Sequence, residues 1–304
     1  MLQLIVEQAL NGLQFGLMLF LLAAGLTLVF GIMDMINLAH GSLYMVGAYL
    51  AAAVTQASGS FAIGIGAAMF GTALLGLLLE MTLLRRLYAR DHLAQVLATF
   101  ALILIANELV RMIWGAQPVM LNAPDALSGP FEIGDFSYPA YRLLIIAVGL
   151  VVAGLLYGLV SKTRLGMWVR AGASNREMTE ALGVNVRVLF SAVFAVGAAL
   201  CALAGALLAP LLAVQVGMGE SILILAFVVI VIGGIGSIRG ALVGSLLVGL
   251  VDTLGRAALP TVLRQFLSPE TASSFGPALA SILIYVLMAA ILFWRPEGLF
   301  PART

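Results

Sequence analysis

Apolar residues run through this chain in long continuous stretches, not in alternation. Charge-poor runs separated by polar breaks fall at about 8–32, 39–58, 61–79, 93–114, 142–160, 188–209, 220–235, 241–256 and 277–294. A run of roughly 20 apolar residues, rising about 1.5 Å per residue as a helix, spans a hydrocarbon core. Lipid admits only helices or closed barrels, and a barrel would show alternating segments of about ten residues. The pattern predicts an all-α polytopic transmembrane bundle of about eight or nine spans, some short or re-entrant, forming one domain over residues 1–304.

Composition removes the soluble alternative. With 62% hydrophobic and 10% charged residues and a mean hydropathy of +1.13, the chain lacks the charge that a water-facing surface of this size needs. A formal net charge of +1 gives no reason to expect a nucleic-acid partner. No Lys or Arg precedes the first apolar run and no small-residue cleavage site follows it, so that span is expected to stay in the mature protein. The single cysteine, Cys201, rules out an internal disulfide and reads as a small buried residue.

Basic residues set the expected orientation, because Lys and Arg stay on the cytoplasmic side. Counting spans from the first cluster, Arg85, Arg86 and Arg90, puts Lys162, Arg164, Arg170, Arg176, Arg187, Arg239, Arg295 and Arg303 on the same side. Only Arg111, Arg142, Arg256 and Arg264 fall opposite. The N-terminus is therefore expected outside and the C-terminus inside.

Two polar interruptions are long. The segment at about 115–141 carries Pro118, Pro124, Pro130 and Pro139 with Asp125, Glu132 and Asp135, which suits an ordered extracytoplasmic cap or a plain connector. The segment at about 162–187 is the most charged in the chain and must lie outside the bilayer. Within it Arg176, Thr179, Glu180 and Gly183 recur at three- and four-residue spacing, which predicts a short helix with a charged face that Gly183 stops. Such a helix presents charge and shape to a groove on a cytoplasmic partner, or it is a solvated linker.

Two glycine-punctuated breaks stand out. Gly31 to Gly47 places Asp34, Asn37 and His40 between apolar runs, and Gly233 to Gly249 contains Gly233, Gly234, Gly236 and Gly240. Corresponding interruptions in two halves point to a transport pathway; helical hairpins with small residues for close packing give the same pattern. Gly236, Gly240 and Gly244, like Gly12 and Gly16, stand four apart, a spacing that lets helix backbones approach in lipid.

Catalytic and metal chemistry find little here. The run after Gly233 lacks the Gly-Lys-Ser/Thr ending of a phosphate-binding loop. His40 has no evident carboxylate beyond Asp34, His92 adjoins Arg90 and Asp91, and further His or Cys ligands for a metal are missing. Glu7, Glu80, Glu108, Arg111, Glu220 and Asp252 all map to span ends, whereas an ion-coupled carrier keeps ionisable groups at mid-membrane. Driving energy is therefore expected from a separate protein. An intramembrane enzyme using His40, or a carrier independent of ATP, are the readings from other classes.

Taken in order, Gly25-Leu-Thr-Leu-Val-Phe-Gly31, Asn37-Leu-Ala-His-Gly41 with Met45 and Gly47-Ala-Tyr49, Arg164, Gly166 and Arg170-Ala171, Glu180-Ala-Leu-Gly-Val-Asn185, Gly233-Gly-Ile-Gly-Ser237 and Arg295-Pro-Glu-Gly-Leu-Phe300 resemble one family. It is the LivH-type permease subunit of bacterial branched-chain amino-acid ABC importers, and the resemblance covers nearly the whole chain. It implies a cytoplasmic (inner) membrane location, a second permease of LivM type, two cytoplasmic ATPase subunits that bind the ATP, an extracytoplasmic substrate-binding protein, an amino-acid substrate, and no cofactor in this chain. By the same resemblance Arg170, Asn175, Glu180, Ala181 and Gly183 belong to an EAA-type coupling loop. Asn37, His40, Gly41, Tyr44, Gly233, Gly234 and Gly236 are expected along the translocation pathway. The stretch Arg170-Ala-Gly-Ala-Ser-Asn175 is less polar than the family pattern, and Arg239 stands in the turn after Gly236; both leave urea or short amides as alternative substrates.

Overall fold

The structure, a computed structural model, describes residues 2–33, 35, 37–133 and 136–301. Its elements in order are α1 (Leu2–Met33), α2 (His40–Ser58), α3 (Phe61–Leu79), a π-helical turn (Glu80–Leu84), α4 (Arg85–Leu87), α5 (His92–Trp114), α6 (Ala140–Lys162), α7 (Arg164–Ser174), α8 (Arg176–Ala181), α9 (Val186–Leu208), α10 (Met218–Gly233), α11 (Ile238–Leu263) and α12 (Pro269–Trp294). Seven helical segments among the described residues are long and apolar enough to cross a membrane. With α2 and the 16-residue α10 they account for the nine apolar runs of the sequence. Several helices extend beyond the runs. Pro260 and Pro277 lie inside α11 and α12 instead of ending them, and the Pro260 ring packs on Gly276 of the facing helix. Asp34, Asp135 and Arg303 lie outside the described residues.

The bundle is built around α1, which is apolar on every side and enclosed by α6, α9, α10 and α11. A helix hydrophobic all round belongs in a core, and enclosure requires neighbours to come close. Glycines make that possible. A Cβ on Gly16 would sit 2.8 Å from the Ser245 carbonyl, and one on Gly12 would meet the backbone of α11 at 3.0 Å. The contact face of α11 is likewise small, with Gly249 against Gly12 and Gly16. In contrast α3, α5, α6, α11 and α12 leave most of their residues only partly buried or exposed, the distribution of a bundle whose outer ring faces lipid or protein.

Helix direction alternates, so the two ends of the bundle can be named by α1, as the Leu2 face and the Met33 face. Arg85, Arg170, Arg176 and Arg239 gather at the Met33 face, where Gly236 packs on Gly31. Arg170 donates to the Val160 carbonyl, and Arg239 donates to the Tyr157 hydroxyl at 2.8 Å. The chain tail ends there too: Leu299 N–H donates to Ile232 O and Phe300 N–H to Gly233 O, both at 2.9 Å. At the Leu2 face the segment between α5 and α6 is ordered as a 3-10 turn (Asp125–Leu127) and a hairpin of β1 (Pro130–Ile133) and β2 (Phe136–Pro139), with Phe131 opposite Tyr138. A bridge between Val119 and Val214 ties this cap to the loop after α9. This hairpin is the one β-sheet among the described residues.

Glu80 departs from its expected place at a span end. It is fully buried, because the π-helical turn swings it inward against α9. Ser191 donates to its Oε2 at 2.6 Å, Arg85 donates to both oxygens at 3.2 and 3.0 Å, and Tyr88 donates to Oε1 at 2.9 Å. Burial, reinforced by this carboxylate, pushes the Tyr88 hydroxyl above its usual range, so it stays a donor. A buried charge is tolerated only when paired and fully hydrogen-bonded. Replacing Glu80 with Ala strands three donors and is expected to cost about 3–5 kcal/mol. In detergent the thermal unfolding midpoint should fall by several degrees, less for Glu80→Gln; an unchanged midpoint for Glu80→Ala would mean the cluster does not hold α3 to α9.

Candidate translocation site and docking helix

Between α1 and α2 the chain turns back into the bundle before it becomes helical again. Asn37 and His40 are fully buried. Asn37 Oδ1 accepts the Ala39 N–H at 3.0 Å, and its amide lies 3.5 Å from His40 Nδ1, an Asx-type turn that replaces a helical bond the backbone has lost. The His40 ring wedges between α1 and α9. A Cβ on Gly25 would lie 3.2 Å from Nε2, one on Gly197 3.4 Å, and Phe194 meets the ring edge-on at 5.8 Å. Gly25 is eight residues, about 12 Å, from the Met33 end of α1, so α2 begins well inside the bundle.

Helix α10 begins at the same depth, having entered from the other face. After α9 ends at Leu208, the chain dips along α2, where Gly217 N–H approaches Met45 Sδ at 3.4 Å. The first turns of α2 and α10 then meet backbone to backbone. A Cβ on Gly41 would strike the Gly219 carbonyl, and a Cβ on Gly219 would strike the carbonyl of Gly41. Two helix N-termini thus converge inside the bundle, where Gly41 N–H donates to Leu38 O at 3.4 Å and Glu220 N–H to Gly217 O at 3.1 Å. Neither has a side-chain cap.

A narrow cleft opens from this junction to the flank of α5, closed in this conformation to anything of water size. Its polar groups are Ser42, Asn107 and Glu220, and its apolar walls are Leu38, Met45, Ile103 and Leu223. Asn107 donates to Glu220 Oε1 at 2.6 Å. Asn107 sits seven residues, about 10 Å, inside the Trp114 end of α5. Glu220 is therefore another exception to the span-end rule: it opens a helix, but that helix opens inside the bundle. An exposed pair, Arg111 to Glu108 at 2.9 Å, extends the polar stripe along α5. Charged side chains near the bilayer centre cost about 2.5–3.5 kcal/mol on insertion scales, which marks this flank as facing protein or water.

The sequence-predicted pathway residues separate into two groups. Asn37, His40, Gly41 and Tyr44 cluster at the start of α2, all buried. Gly233, Gly234 and Gly236 lie at the Met33 face, where Gly233 packs on Gly240, Gly234 on the chain tail and Gly236 on Gly31. This second break is a tight hairpin turn, and a helix start inside the bundle like that of α2 lies instead at the Gly217–Glu220 stretch. Its signal was legible as Gly-x-Gly-Glu ahead of a short apolar run. Ser42 and Asn107, single polar residues inside apolar runs, were passed over.

At the Met33 face, α7 and α8 project beyond the spans. Asn175 caps α8 by accepting the Met178 N–H at 2.9 Å. Gly183 ends the turn at φ +86°, a conformation that side-chain-bearing residues resist. Arg176 pairs with Glu180 at 3.3 Å, and Met178 and Leu182, one turn apart, are exposed. Glu180 and Ala181 also face outward. Arg170 instead bonds back to the end of α6. One contact chain leads inward. The Arg176 guanidinium lies 5.2 Å over the Phe190 ring, Phe190 meets Tyr88 at 5.9 Å, and the Tyr88 hydroxyl reaches Glu80 and, at 3.4 Å, Met33 Sδ.

The family described as "Branched-chain amino acid transport system / permease component" matches residues 8–292. The chain is 29% identical to the high-affinity branched-chain amino acid transport system permease protein BraD of Pseudomonas aeruginosa, over 97% of this chain and 95% of that one. It is 27% identical to the corresponding protein LivH of Escherichia coli K12, over 96% of each. The fructose import permease protein FrcC of Rhizobium meliloti is 31% identical over 51% of this chain and 43% of its own length. No solved structure gives a significant match.

The meeting of α2 and α10 is open to a direct check. With Cys201 replaced by Ala, cysteines introduced for Ser42 and Leu223 should be joined by a short bifunctional thiol reagent, holding together the fragments produced by cleavage at a protease site inserted in the 115–139 loop. Adding Gly219→Leu should abolish that link. Equal cross-linking with Leu at 219 would refute the close approach.

Proposed function

The chain belongs to the branched-chain amino acid transport permease family, and on that premise we propose that it is one of two permease subunits of an ABC importer for branched-chain amino acids. The match over nearly its full length carries the reading. The second permease covers the polar flank of α5 and α10, and the translocation pathway runs between the two. ATP is bound and hydrolysed by two separate cytoplasmic subunits, and an extracytoplasmic binding protein delivers the substrate to the Leu2 face. We place the Met33 face in the cytoplasm and the N-terminus outside, in the cytoplasmic membrane of a bacterium; the basic residues gathered at that face support this orientation. No cofactor is needed in this chain.

Helix α8 is the element that meets the ATPase. Its exposed Met178 and Leu182 supply apolar contact, and Arg176 and Glu180 give the charged rim that selects a partner. Residues 170 and 175 hold it in place: Arg170 ties α7 to α6, and Asn175 starts α8 at a sharp angle to α7. Movement of α8 is passed through Arg176, Phe190, Tyr88 and Met33 to the end of α1, beside the break that leads to Asn37 and His40. Opening and closing of the pathway then follow from repositioning α2 against α10.

A mild-detergent pull-down of the tagged chain from its native membrane tests the assembly. A Walker-A ATPase and a second permease should co-purify. Gly183→Trp, Glu180→Lys and Leu182→Glu should release the ATPase and keep the permease, while recovery of the chain alone would remove the importer reading. Separately, Asn37→Leu removes the acceptor for Ala39 N–H and should cut uptake at least about tenfold, the equivalent of one buried hydrogen bond of roughly 1.4 kcal/mol or more, while the complex still assembles. Full uptake by that variant would exclude Asn37 from the pathway.

A further inference from the structure

We infer that the cleft between the first turns of α2 and α10 is the substrate site, and that it takes a free α-amino acid as a zwitterion between two oppositely disposed groups. This rests on the importer reading above and adds to it the chemistry of the site. The carboxylate goes to the N-terminus of α2, whose first turn holds no acidic residue and no side-chain cap. The partial positive charge of a helix start makes such an end an anion site; here Asn37 Oδ1 holds the Ala39 N–H and Leu38 O holds the Gly41 N–H, so the attraction is that of the helix dipole. The second observation is Ser42. Its side chain is more than nine-tenths buried, lines the cleft, and its hydroxyl has no partner among the described residues. A buried hydroxyl without a partner is costly, and a carboxylate would satisfy it.

The ammonium goes to Glu220. Its carboxylate lies across the cleft in the first turn of α10, which it already complements, so α10 is not free to take the substrate's negative end. Asn107 holds Oε1 at 2.6 Å. The Glu220 side chain is exposed at the mouth of the cleft and the described residues give it no ion pair, so a cation can reach it there. The aliphatic side chain meets Leu38, Met45, Ile103 and Leu223, methyl-bearing walls that suit a branched hydrocarbon. Gly41 and Gly219 are small for a physical reason: a side chain at either would separate the two helix starts that must face the ligand together. Because the cleft is closed to water in this conformation, binding requires α10 to move from α2. The site as described is the shut state.

The test uses the complete importer reconstituted in liposomes with its binding protein and ATP, scored by uptake of radiolabelled leucine. Wild type must take up leucine; if it takes up none, the importer reading fails and this inference with it. Given wild-type uptake, Glu220→Gln should raise the KM for leucine at least about tenfold, the loss of one charge-assisted contact, with Glu220→Asp partly restoring it. An unchanged KM for Glu220→Gln would overturn the assignment while leaving the importer intact.

A second measurement does not depend on turnover. In the assembled complex carrying Ser42→Cys and Cys201→Ala, leucine should slow labelling by N-ethylmaleimide several-fold. 4-Methylpentanoate and isoamylamine, each lacking one charged group, should protect far less. Equal protection by all three would mean the cleft reads only the hydrocarbon and would overturn the zwitterion geometry. No protection by any would place the substrate elsewhere.

Discussion

Close backbone contact between helices is the interaction on which this structure depends. In lipid there is no gain from hiding one apolar surface against another, so association rests on van der Waals packing and on polar groups that pair between helices. Both improve when helix axes come near. The glycines of α1, α11, α2 and α10 supply that proximity, and α1 can then be enclosed on all sides. Without it, α1 would be one more lipid-facing span, and the two short helices it supports would have nothing rigid to start from.

Three polar side chains are tied to places where the helical pattern fails. Asn37 pairs with backbone that has left α1. Glu80 sits in the π-helical turn and collects donors from α4 and α9. Glu220 opens a helix that begins inside the bundle. The same irregularity that frees a backbone group also brings in the side chain that satisfies or uses it. The cluster around Glu80 lies on the contact chain that leads from α8 to Met33.

The number and order of apolar segments were legible in the sequence because nine charge-poor runs separated by polar breaks leave little freedom in a bilayer. The helix at 176–181 was legible too, since Asn175 and Gly183 are start and stop residues whose action is local. Depth was not. Glu220 follows a polar loop and precedes an apolar run, which reads as a boundary; the packing of Gly219 on Gly41 sets the helix start inside the bundle, with the Glu220 side chain exposed. Glu80 looked interfacial for the same reason, and its burial follows from a π-helical turn with no local signature in composition. Which break begins a helix inside the bundle was not legible, because Gly233–Gly240 is richer in glycine than Gly217–Glu220, and glycine marks close packing as readily as it marks a pathway.

The tail contact at the Met33 face has a mechanical consequence. Leu299 and Phe300 hold the carbonyls of Ile232 and Gly233, so α10 is pinned at one end by backbone bonds, while its other end rests on Gly41 by packing and on Asn107 through a side-chain bond. A 16-residue rod of about 24 Å that pivots by about 10° on such an anchor carries its far tip through about 4 Å. The shortness of α10 thus makes it a lever whose fulcrum is the end of the chain itself, and whose tip is the wall of the cleft.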